Sequence, residues 1–168
     1  MTTNNNEDND RVLLPWSKSC FVCGESNPQG LRAKLYRVGD MVEMSFVPRP
    51  EFVGWSDVVH GGLISTVLDE VMTWAAIVFG RQGFFAAEFS VRLKAPLPPE
   101  TMCVARARIL GARRRILEAE SRLEGADGAL FATATGRYLP VPAGQMARFR
   151  HDFVSTERCL DLRAIFES

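Results

Sequence analysis

The sequence predicts an α+β fold, with an antiparallel β-sheet wrapped around one long central α-helix. Three observations carry this. The stretch His60 to Gly80 is apolar and has a helical period. Segments before and after it alternate apolar and polar side chains, as half-buried strands do. The inward positions of the later strands are small (Ala105, Ala107, Ala119, Ala132 and Ala134), so something bulky must lie against them. The long helix is the only candidate.

That helix is about 18 residues, roughly 27 Å at 1.5 Å per residue. Gly80 stands where a C-terminal stop is expected. At 100° per residue, Leu63, Ile64, Val67, Leu68, Val71, Trp74, Ala75 and Val78 fill one arc, extended by Met72. Ser65, Thr66, Asp69, Glu70 and Thr73 share the opposite arc, interrupted by Ala76 and Ile77. An enclosed helix thus carries a stripe of carboxylates and hydroxyls. Its start is unusual, because Gly61 and Gly62 are adjacent and both are poor helix formers. They strip side chains from around the first free N–H groups, and such a terminus attracts a carbonyl oxygen or an oxyanion.

The chain before the helix divides into three parts. Met1 to about Asp10 is polar and acidic and reads as disordered, within an arm of residues 1–19 that is disordered or extended. Cys20-Phe21-Val22-Cys23-Gly24 then leads into Asn27-Pro28-Gln29-Gly30-Leu31, a run crowded with turn formers. The Cys-x-x-Cys spacing is compatible with half a zinc site or a redox pair. Cys103 and Cys159 are far apart, however, and no second half-site is recognisable. A structural turn is therefore the reading, with no metal expected. Ala33 to Val38, Gly39-Asp40 and Met41 to Val47 read as a hairpin, ended by Pro48 and Pro50.

After the helix come strand-like runs at Phe84 to Lys94, Thr101 to Leu110, Arg115 to Leu123 and Ala129 to Leu139. A tight loop around Ala112 to Arg114 sets Arg108 opposite Glu118 and Arg106 opposite Glu120, a register supported by opposite charges. Ala126-Asp127-Gly128 is a second hairpin turn. Residues 20–140 form the domain, and 141–168 a tail with a short helix around Ser155 to Phe166.

Composition narrows the function. At 168 residues, with 46% hydrophobic and 24% charged side chains, the chain fits one globular domain. Lys+Arg and Asp+Glu both number 20, so there is no basic excess of the kind nucleic-acid binding needs. The first residues lack the apolar run of a signal peptide, and no stretch of 18 consecutive apolar residues is present. A cytoplasmic protein with reduced thiols, without a membrane or nucleic-acid partner, is the expectation.

Val59-His60-Gly61-Gly62-Leu63-Ile64, with Asp69 nine positions after the histidine, resembles the acyl-CoA thioesterase branch of the hotdog fold, and in particular the PaaI-like thioesterases. The Cys20 to Gly24 and Asn27 to Leu31 elements are similar to the N-terminal segment of some members. Glu88 to Arg92, leading to Pro96, looks like the strand that follows the helix. The resemblance spans roughly Cys20 to Leu139. It departs from the family at Gly54, where many members carry Asn or Gln, and at Ala86, where many carry Thr.

The resemblance implies hydrolysis of an acyl-CoA, or a related acyl thioester, to the free acid and CoA. Asp69 would deprotonate water or attack the carbonyl. The N–H of Gly62 or Gly61 would stabilise the oxyanion. His60 would orient the thioester or hold the loop, and Thr73 would assist from one turn after Asp69. Glu70 reads as an ordinary solvent-facing carboxylate. Arg92, Lys94, Arg113, Arg114 and Arg137 are candidate contacts for the CoA phosphates. Trp55, Trp74, Phe84 and Phe85 are candidates to line the acyl pocket.

No cofactor is required by this chemistry. A homodimer or homotetramer is expected, with Asp69 from one subunit and the helix start from the other. Two alternatives remain from the same residues: a hotdog dehydratase or hydratase, and a non-catalytic acyl-CoA-binding protein or sensor.

Overall fold

The computed structural model describes residues 11–161 and 163, so the expected disorder of residues 1–10 lies outside the described residues. In chain order the elements are β1 (Arg11–Leu13), β2 (Trp16–Ser17), β3 (Leu35–Val38), β4 (Met41–Phe46), β5 (Val53–Trp55), β6 (Val58–Val59) and α1 (Gly61–Gly80). They continue with β7 (Phe84–Leu93), β8 (Cys103–Arg113), β9 (Ile116–Gly125), β10 (Leu130–Pro140), α2 (Ala143–Phe149) and β11 (Phe153–Val154). A seven-stranded sheet runs in the order β1-β3-β4-β8-β9-β10-β7, with every neighbour antiparallel. This is the hotdog arrangement, a large antiparallel sheet around one central helix.

The small inner side chains explain the closeness of helix and sheet. Ala105, Ala107, Ala119, Ala132 and Ala134 are all buried, and so are Val67, Leu68, Val71 and Ala75 of α1. Ser121 is buried on that face, and its hydroxyl donates to the Leu68 carbonyl at 3.2 Å. By length and composition α1 could cross a membrane, but half of its most apolar window is buried inside this fold. The helix ends at Arg81, which takes the left-handed conformation (φ 56°) at the C-cap.

The β8–β9 register differs from the sequence expectation by two residues. Arg108 faces Glu120 and Arg106 faces Arg122, with an irregularity between Ile109 and Gly111. β8 runs on to Arg113, and the turn is made by Arg114 and Arg115 rather than by Ala112 to Arg114. Arg106 instead finds Glu43 of β4 at 2.6 Å and Glu124 at 3.2 Å, so its charge is balanced across the sheet.

The tail also differs. Residues 155–161 contain a turn and an isolated bridge, not a helix. The Leu160 N–H donates to the Leu13 carbonyl at 2.8 Å, which commits that backbone to the N-terminal strand. Residues 162 and 164–168 of the expected helix lie outside the described residues. Arg163, within the expected range, is helical, and the tail also holds α2 and a 3-10 turn at Arg150–Asp152. The N-terminal arm is extended here: β1 pairs with β3, β2 pairs with β11, and Leu14 and Trp16 are buried.

Candidate active site

His60 stands outside the first turn of α1 with extended backbone and serves as its N-cap. Its Nδ1 accepts the Gly62 N–H at 2.9 Å. The Leu63 and Ile64 N–H groups bond the His60 carbonyl at 2.9 and 3.3 Å. Of the first four helical N–H groups, three therefore have partners, and the Gly61 N–H has none among the described residues. Between the two glycines considered as oxyanion donors, Gly61 is the free one and Gly62 is held by the histidine. His60 itself holds the loop, since its own N–H donates to the Phe52 carbonyl at 2.8 Å. Gly54 lies against its ring, where a Cβ would come within 3.0 Å. A larger residue at 54 would displace the cap. At Gly61 a Cβ would meet only the Cδ1 tip of the exposed Leu93, at 2.8 Å, and that side chain can swing aside.

Two turns further on, Asp69 is half-buried and accepts the Tyr138 hydroxyl at 2.8 Å. Thr73 hydrogen-bonds both Asp69 and Tyr138, closing a three-membered polar cluster on the inner side of the sheet. Burial pushes the Asp69 carboxyl above the ordinary carboxylate range, and the bonds from Tyr138 and Thr73 pull it partly back. Burial, followed by the charge on Asp69, pushes the Tyr138 phenol up, so it stays a donor. Sequence reasoning passed over Tyr138. Its signal was parity: it falls on the inward side with Ala132, Ala134 and Gly136 of the same strand.

Ser65 and Thr66 face the other way in their bonding. Their hydroxyls donate to the Gly61 and Gly62 carbonyls, each at 2.9 Å.

Glu70 is not the solvent-facing carboxylate that the sequence suggests. The N-terminal turn folds over it, so that Trp74 Nε1 donates to it at 3.1 Å and Cys20 lies 3.7 Å away. Burial pushes its carboxyl up to about 8, with the Cys20 charge adding to the effect. Cys20 is drawn down to about 6, chiefly by the hydrogen bond from the Cys23 thiol, and Cys23 is correspondingly pushed up. All four cysteines are free.

The basic candidates do not gather at Asp69. Arg137 is paired with Glu88 at 2.8 Å and Glu118 at 3.3 Å. Arg92 and Lys94 line a groove of about 770 Å³ together with Arg106, Arg108 and Arg122. Arg92 pairs in register with Thr133, opposite in parity to the inward Ala132 and Ala134, so it faces away from α1. Arg113 and Arg114 are exposed at the β8–β9 turn. Of the aromatic candidates, Trp74 and Phe84 are core residues, Phe85 is exposed, and Trp55 is 85% exposed. Trp74 is held by Phe153 edge-on, at 5.9 Å between ring centres.

Comparison with known proteins finds the same fold and a family match around α1. Residues 57–132 match the model of the thioesterase superfamily. The matched stretch runs from just before β6 through α1 into β10, inside the hotdog fold described above.

Solved structures share the fold. A thioesterase superfamily protein of known crystal structure is 21% identical, with a TM-score of 0.68 over 73% of this chain and 60% of its own length. The PaaI protein of E. coli, from the phenylacetic acid degradation operon, is 11% identical, with a TM-score of 0.62 over 67% of this chain and 81% of that one. Smu.793 from Streptococcus mutans UA159, solved bound to acetyl-CoA, is 13% identical, with a TM-score of 0.57 over 61% of this chain and 82% of that one. No curated protein matches the sequence.

Proposed function

We propose that the protein hydrolyses an acyl-CoA to the free acid and CoA, with Asp69 acting on water or on the thioester carbonyl. The observation that carries this is the half-buried Asp69, held by Tyr138 and Thr73 on the helix that begins with His60-Gly61-Gly62. A buried carboxylate with fixed partners is oriented, and its raised affinity for a proton makes it a better base than an exposed aspartate. The superfamily match and the acetyl-CoA bound to a structural neighbour support the thioester substrate.

The thioester carbon must come within about 3 Å of both the base, or its water, and the oxyanion donor. At 1.5 Å per residue, Gly61 and Asp69 of one helix are about 12 Å apart along the axis. One chain therefore cannot present both to the same carbonyl. Two copies with antiparallel helices would bring the Gly61 N–H of one to the Asp69 of the other. The edge strand β7 suits this pairing, because Phe89 and Leu93 are exposed on its helix side at 40% and 57%.

The reaction then runs in three steps. The carbonyl oxygen docks on the Gly61 N–H. Asp69 takes the proton of a water as that water adds to the carbon, or adds to the carbon itself. The tetrahedral adduct then expels the CoA thiolate, which takes a proton; in the second form this leaves an Asp69 acyl anhydride, and water hydrolyses it to the free acid and Asp69. Tyr138 and Thr73 are positioning residues, since they hold Asp69 and not the substrate.

A panel of acyl-CoAs assayed by thiol release, with wild type beside Asp69→Asn, tests the proposal. A fall in kcat on the order of 10²-fold or more in a folded variant supports it. Equal rates would remove Asp69 from the chemistry. Binding without turnover across the whole panel would make the protein an acyl-CoA-binding module instead.

A further inference from the structure

The hydrolysis leaves one cluster unused. Cys20 and Cys23 sit on the turn before β3, and Glu70 reaches them from α1, about 100° around the axis from Asp69. The two sulfurs and a Glu70 oxygen all lie within 4.8 Å of one another. Both Glu70 oxygens are near Cys20 Sγ, at 3.7 and 3.9 Å.

The turn is shaped around its first sulfur. The Val22 and Cys23 N–H groups donate to Cys20 Sγ at 3.2 and 3.4 Å, and the Gly24 N–H donates to the Cys20 carbonyl at 3.0 Å. Only glycine closes it, because a Cβ at position 24 would lie 2.4 Å from the Cys20 carbonyl oxygen. Two N–H dipoles aimed at a sulfur compensate negative charge there.

The hydrogen-bonded account of this cluster is weak. The enclosed carboxylate is given the Cys20 contacts at 3.7 and 3.9 Å, a bond from the Cys23 thiol and the Trp74 indole, and thiols are weak donors. A bound cation fits the spacing better. With Zn–S near 2.3 Å and Zn–O near 2.1 Å, tetrahedral geometry puts sulfur and oxygen about 3.6 Å apart.

We propose that Cys20, Cys23 and Glu70 bind a thiophilic divalent cation of the zinc type, clasping the N-terminal turn to the central helix. Two thiolates select against magnesium and calcium, which prefer oxygen. Three protein ligands leave a fourth position for water. Uptake releases the thiol protons to solvent. No step of the hydrolysis passes through this site, so it stands or falls independently of the activity.

The test is a Co²⁺ titration of the full, reduced chain, with no substrate present. We expect one equivalent per chain, a thiolate-to-cobalt charge-transfer band in the near ultraviolet, tetrahedral bands in the visible, and displacement by Zn²⁺. The bands persist in Cys159→Ser and vanish in Cys20→Ser and Cys23→Ser. Glu70→Gln binds at least about tenfold more weakly. Folded wild-type protein that leaves cobalt with its octahedral aqueous spectrum overturns the site. Unchanged affinity in Glu70→Gln overturns the three-residue set. Because a cysteine variant can lose its fold, the wild-type titration decides. A Zn²⁺-dependent rise in wild-type Tm that Glu70→Gln abolishes is the second expected result.

Discussion

Asp69 is held between two demands. The proposed chemistry needs it ionised, while burial favours the neutral acid. Its folded pKa lies above the unfolded one, so two pH dependences of opposite sign follow. Activity should rise with pH through a value above the usual carboxylate range, since only the anion acts on water or carbonyl. Stability runs the other way: the contribution of this carboxyl is fully present below its unfolded pKa and is lost as pH rises through the folded one. Asp69→Asn should therefore melt higher than wild type at neutral pH while losing activity, which thermal unfolding at pH 5 and pH 8 will check.

Tyr138→Phe removes one of the bonds that hold the carboxyl down. The acidic limb of its rate profile should move to higher pH, by a measurable fraction of a unit or more. An unmoved limb would mean that Tyr138 acts on packing alone. Of this cluster the sequence showed Asp69 and Thr73, because spacing on one helix is local information. Tyr138 comes from a strand 69 residues away, and only its parity hinted at an inward position.

At the scale of elements, α1 and its cap were legible, since a long apolar period and a glycine pair need no tertiary context. His60→Ala removes the cap to Gly62 and should cost about 1 kcal/mol in denaturant unfolding. The β8–β9 hairpin was legible as a pair but not in register. Facing charges argued for one alignment, yet Arg106 is satisfied by Glu43 and Glu124 on other strands, so it did not need Glu120 opposite. Arg114 at that turn has φ 58°, a conformation glycine adopts more cheaply. Arg114→Gly should be neutral or stabilising by up to about 1 kcal/mol, whereas Gly24→Ala should destabilise because the backbone of Cys20 blocks its Cβ. Glu70 was misread because a helical wheel cannot show which loop folds over a polar stripe.

For the whole molecule, the proposed site joins two chains, and the free edge of β7 is where they would meet. Leu93→Glu places a charge beside Gly61 on that edge. Light scattering should show it shifted towards monomer at micromolar concentration, with activity falling in step by at least about tenfold. A monomer with full activity would rule out a shared site. Mixed dimers offer a sharper check. Asp69→Asn co-expressed with Gly61→Pro, which removes the N–H at the first helical position, should recover part of the activity that each lacks alone, because one of the two sites in the hybrid retains both groups.

The strand order has a consequence for how the chain reaches this state. β3 and β4 are made before the helix and β7 to β10 after it, yet β4 and β8 are neighbours, so Met41 aligns with Arg108. The meander β8-β9-β10 closes through short turns and can form early, while the β4–β8 seam spans a long loop that contains the entire helix. The seam is therefore expected to close after α1 has docked. Substitutions along it, such as Val42→Ala, should speed unfolding more than they slow folding, whereas Leu123→Ala in the meander should slow folding directly. Chevron analysis of the two variants will distinguish them.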